Sequence, residues 1–149
     1  MKKITFLVFS LVFISFNREV LKVEASASTS EAIEMHSLSL AEMTHRVEEA
    51  VRVLNEYEAT FDSNRQFLMW YEPYAVRSFY YYYGWVMDEL ESFNQTGSAL
   101  DAYTVIGATY DTLALLQRSP ARLAIIINGA HNLSSDLDYI WSLKFDPFS

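Results

Sequence analysis

From Leu38 onward the apolar positions recur in steps of three and four, the period of a helix that buries one face. The first such stripe runs Leu40, Met43, Val47, Ala50, Val51, Leu54, Tyr57 and Phe61, with Glu42, Glu49, Arg52 and Glu56 on the opposite side. Ser39 and Glu42 form a capping-box pattern at its start, Leu38 and Met43 are spaced for a hydrophobic staple, and Glu42/Arg46 and Glu48/Arg52 are charge pairs four apart.

Pro73 is tolerated in a first helical turn and Gly97 suits a C-terminal cap, so the spacing predicts a second helix between them. Its core stripe is Ala75, Phe79, Tyr82, Tyr83, Val86, Leu90 and Phe93. Ser98 and Asp101 repeat the capping pattern ahead of a third helix, with Tyr103, Ile106, Tyr110, Leu113, Ala114 and Gln117 along one side. Ser119-Pro120 opens a fourth, whose face is Leu123, Ile126, Ile127, Ala130, Leu137, Trp141 and Phe145 and which Pro147 ends. Gly107 and Asn128-Gly129 are weak points inside the last two helices, where a kink is expected.

Short turns make successive helices antiparallel. The expected fold is therefore all-α, an up-down four-helix bundle over residues 38–146.

The segment before this domain has a different grammar. Lys2 and Lys3 precede the apolar run Ile4 to Phe16, and Ala25-Ser26-Ala27 offers a small-x-small cleavage site, the order of a secretory signal peptide. The run is shorter than a bilayer requires. The charged stretch Asn17 to Glu24 allows for a short propeptide, and polar residues 28–37 read as a flexible mature N-terminus. Secretion predicts an extracellular protein, yet the chain of 149 residues has no cysteine. Stability must then come from the core of long helices, because disulfides are excluded.

Removing residues 1–27 leaves seven bases against seventeen acids and moves the formal charge from −8 to −10. Such a surface repels phosphate backbones and anionic headgroups, which excludes nucleic acid as a partner and favours a protein with a basic patch. Asn94-Gln95-Thr96 and Asn132-Leu133-Ser134 are N-glycosylation sequons, with Asn94 the better placed because it falls in a predicted turn.

Catalytic and cofactor chemistry finds little to build on. Glu42-Met43-Thr44-His45 is a lone Glu-x-x-His, a di-iron bundle needs two such motifs, and the wheel turns Glu42 away from the apolar stripe. Without cysteine there is no thiolate zinc site and no c-type haem attachment. No Gly-x-Ser-x-Gly elbow, phosphate loop or His-Glu-x-x-His occurs, and the three histidines are His36, His45 and His131. The expectation is a non-enzymatic protein with no cofactor, metal or catalytic residue.

One feature stands out on the second helix. Tyr74, Tyr81 and Trp85 fall together on the face opposite the core stripe, among Arg77, Asp88 and Ser92. Either that face is covered, by the Trp70-Tyr71 turn or the N-terminal tail, or it is an exposed protein interface, with self-association as homodimer its simplest form. A third reading places the tyrosines around a cavity for a small hydrophobic or amphipathic ligand. The leading expectation is a secreted binding protein that presents an acidic, aromatic helical surface to another extracellular protein, in the manner of effector, saliva, venom or cytokine-like factors.

Overall fold

A computed structural model of the chain describes residues 38–148. The expected signal peptide, the polar segment 28–37 and His36 lie outside the described residues. Within them the protein is all-helical: α1 (Leu40–Ser63), α2 (Arg65–Tyr71), α3 (Pro73–Thr96), α4 (Ala99–Leu115), a 3-10 turn (Leu116–Arg118), α5 (Ala121–Ala130) and α6 (Leu133–Leu143). Six helices therefore stand where four were expected.

The first helix follows its pattern closely. All eight expected stripe residues are buried, from Leu40 to Phe61, and Thr44 and Val53 join them. Ser39 Oγ accepts from the Glu42 amide at 3.1 Å, but the Glu42 carboxylate pairs with Arg46 instead of closing the box. Arg52 lies between Glu49 (2.7 Å) and Glu56 (2.8 Å), not on Glu48 as expected. Glu48 is half-buried and its carboxyl is pushed above the usual range by that burial.

The stretch expected as a turn around Trp70-Tyr71 is the short helix α2, which buries only Leu68. It arises between Asn64, whose side chain donates back to the Thr60 carbonyl, and Pro73, which takes the first position of α3. Gly97 ends α3 as anticipated, with a left-handed φ of 63° and its amide on the Phe93 carbonyl. Only Gly97-Ser98 connects α3 to α4, and these two helices make the most extensive contact, so they run antiparallel.

The central element is α4, which packs on α1, α3 and α6. Its burial spreads over Ala102, Val105, Ile106, Ala108, Thr109, Thr112 and Leu113, wider than one stripe. Tyr103 and Tyr110, expected in the core, are half-buried instead, and Gln117 is exposed. A helix enclosed by neighbours on several sides has no single core face, and the small residues Ala102, Ala108 and Thr112 let those neighbours approach. The helix passes through Gly107 without a break.

The expected fourth helix is divided. α5 continues past Asn128-Gly129 and stops at Ala130, His131 is extended (φ −139°, ψ 156°), and Asn132 restarts the chain by accepting from the Ser135 amide at 3.1 Å. This break shifts the phase of the stripe. Leu137, Ile140 and Leu143 are buried after it, whereas Ala130 and Trp141, expected inside, are exposed.

Candidate functional site

The outer face of α3 is open. Tyr74 is 82% and Tyr81 74% exposed, while Trp85 is 37% exposed. Tyr82 links Tyr81 (5.4 Å between ring centres) to Trp85 (6.3 Å), each pair packed edge to face. Of the two covers expected for this face, the Trp70-Tyr71 segment does not supply one, because Trp70 is itself 80% exposed and Tyr71 and Phe67 are also exposed and pack on each other at 4.6 Å; the N-terminal tail lies outside the described residues. The α2–α3 elbow thus extends the aromatic surface of α3.

Charge is unevenly spread over the molecule. Arg46 and Arg52 are neutralised by glutamates on α1. The arginines near the elbow lack carboxylate partners: Arg65 lies over the Tyr80 ring (5.1 Å), Arg122 over Tyr71 (4.1 Å), and Arg77 and Arg118 are exposed. Acids are also present on α3, at Asp88, Glu89 and Glu91, with Glu72 at its start.

Beside Tyr74 a groove of about 510 Å³ opens where α3, the end of α4 and the start of α5 meet. Its floor includes the buried side chains Phe79, Thr112, Leu116 and Leu123. Tyr74, Ser78, Tyr82, Glu72, Arg118 and Ser119 add hydroxyls and two charges to its walls. None of these six side chains has a hydrogen-bond or ion-pair partner in the described residues. An apolar floor with a few free polar groups is the usual make-up of a small-molecule site.

A buried polar cluster, missed at the level of sequence, fastens the α5–α6 break to α1. The His131 ring stacks on Tyr57 (3.9 Å between centres, 18° apart) and its Nε2 lies 2.7 Å from Thr60 Oγ1. Tyr57 donates its hydroxyl to Asp136 Oδ2 at 2.6 Å. Burial lowers the His131 pKa, and burial together with Asp136 raises that of Tyr57. Asp136 accepts from the phenol and not from the imidazole, so an acid–histidine–hydroxyl relay is not formed. The one advance signal was the Asn132 to Ser135 spacing of a cap.

The other candidates fall elsewhere. Glu42 is engaged by Arg46 and His45 points to solvent; among the described residues no three metal-ligating side chains converge. Asn94 is only 5% exposed, in the last turn of α3 and not in a loop, whereas Asn132 is exposed and caps α6 through its oxygen, leaving the amide nitrogen available. Lys144 Nζ rests 4.3 Å from the Trp141 ring and 5.4 Å from Tyr103, which ties the C-terminal segment to α4. No helix among the described residues is long and apolar enough to cross a membrane.

Comparison with known proteins returns no match among protein families, characterised proteins or solved structures.

Proposed function

We propose that this is a secreted, non-enzymatic binding protein, a helical bundle with a broken fourth rod, which acts on another extracellular protein through the aromatic face of α3 and the α2–α3 elbow. The supporting observation is the near-complete exposure of Tyr74, Tyr81 and Trp70 on adjoining elements. Large rings left in water with arginines nearby have the composition that dominates binding energy at protein interfaces, Trp, Tyr and Arg. A partner with a basic patch fits the glutamate-rich side of α1, and a second copy of the chain is the simplest occupant of the aromatic face.

The Tyr81→Ala/Trp85→Ala double variant tests this reading. It is expected to lose the partner retained by the wild type from the fluid into which the protein is secreted, or to abolish concentration-dependent sedimentation, with stability changed by less than about 0.5 kcal/mol. A large drop in Tm would show instead that the rings support the core.

The groove favours a second reading, a carrier of a small amphipathic ligand. Its apolar floor and unpartnered hydroxyls support that role, with Tyr74 common to the groove and the aromatic face.

A further inference from the structure

Glu72 and Arg118 both line the groove and, among the described residues, do not pair with each other or with any other charged side chain. Glu72 is half-buried at the junction of α2 and α3; Arg118 projects from the 3-10 turn between α4 and α5. The buried side chains Phe79, Leu116 and Leu123 line the same groove. A singly charged amphiphile would satisfy one of the two charges and be repelled by the other. A headgroup carrying both signs satisfies both, while its tail removes the floor from water.

We propose that the groove binds a zwitterionic amphiphile, with its cationic group toward Glu72 and its anionic group toward Arg118. This rests on the carrier reading and specifies its ligand class. The protein's own net charge of −8 works against any non-specific explanation, because it draws cationic amphiphiles to the surface and disfavours anionic ones. A preference for the zwitterion has to come from the local pair.

The test is calorimetric titration of the full chain with three probes that share a dodecyl tail, each below its micelle concentration: N-dodecyl-N,N-dimethylglycine, dodecanoate and dodecyltrimethylammonium. The zwitterion is expected to bind at least about fivefold more tightly than either singly charged probe, the scale open to partly exposed charges. Arg118→Gln should remove its advantage over the ammonium, and Glu72→Gln its advantage over the carboxylate. Ser78→Phe, which fills the wall of the groove, should weaken all three, with circular dichroism confirming that each variant is folded. If no probe binds, or Ser78→Phe leaves binding unchanged, the carrier reading falls together with the ligand class. If all three bind without preference, or the ammonium binds best in wild type and variants alike, the groove is a carrier site and the zwitterion assignment is overturned.

Discussion

The α1 helix and the α5–α6 segment pack on each other but are held in different ways. α1 is a continuous run of 24 residues whose polar contacts are largely its own: the Ser39 cap, the Glu42–Arg46 pair and the Glu49–Arg52–Glu56 ladder. α5 and α6 are 10 and 11 residues long, and their distinctive polar contacts reach across to α1, through Asp136 to Tyr57 and His131 to Thr60. Isolated helices of that length are marginal in water, so the second region depends on tertiary contacts even more than the first does.

This contrast can be tested by perturbation. The largest loss is expected at Leu54, fully buried in α1: Leu54→Ala should cost about 3 kcal/mol, read as the shift of a urea unfolding midpoint. A cost below about 1 kcal/mol would mean that the core around α1 is not packed as described.

Next comes the bridge between the regions. Asp136→Ala leaves the buried Tyr57 hydroxyl without its acceptor and should cost about 1–3 kcal/mol. In a Tyr57→Phe background the same substitution should cost distinctly less, and a double-mutant cycle measures the difference. Strict additivity would show that the two side chains do not interact.

The smallest effect is expected from pH. Burial depresses the His131 pKa in the fold, so the unfolded chain takes up a proton first as the medium is acidified. Stability from this group is therefore intact above the ordinary histidine value, is lost as pH falls through it, and levels off below the lowered folded value. His131→Gln should flatten that part of the stability–pH curve relative to wild type. An unchanged slope would remove His131 from the account.

Much of the fold was legible before any coordinates, and the reasons are local. Ser39, Ser98 and Gly97 act as caps wherever they occur beside a helical run, because they satisfy backbone groups within a few residues. The break at His131-Asn132 was not read, although Asn132 with Ser135 three residues on is a cap by the same logic. Asn128-Gly129 drew attention as the weak point, yet a helical glycine costs only about 1 kcal/mol, which packing of Leu123 and Ile127 readily outweighs. The candidate site was half legible: periodicity identified Tyr74, Tyr81 and Trp85 as a separate face, but nothing in it indicated the groove, which is made where two separate stretches of the chain, 72–82 and 112–123, come together.

The sequence by itself determined the helical class, the start of α1, the α3–α4 turn and which residues share the apolar stripe of α1, since each follows from interactions or spacings of four residues or fewer. Only the tertiary structure decided that α4 is enclosed on several sides, that Trp141 turns outward while Ile140 and Leu143 turn in, and that Glu72 and Arg118 line the same groove. Those outcomes depend on which distant surfaces come together. Burial is set by neighbours, and no local period encodes where the neighbours will be.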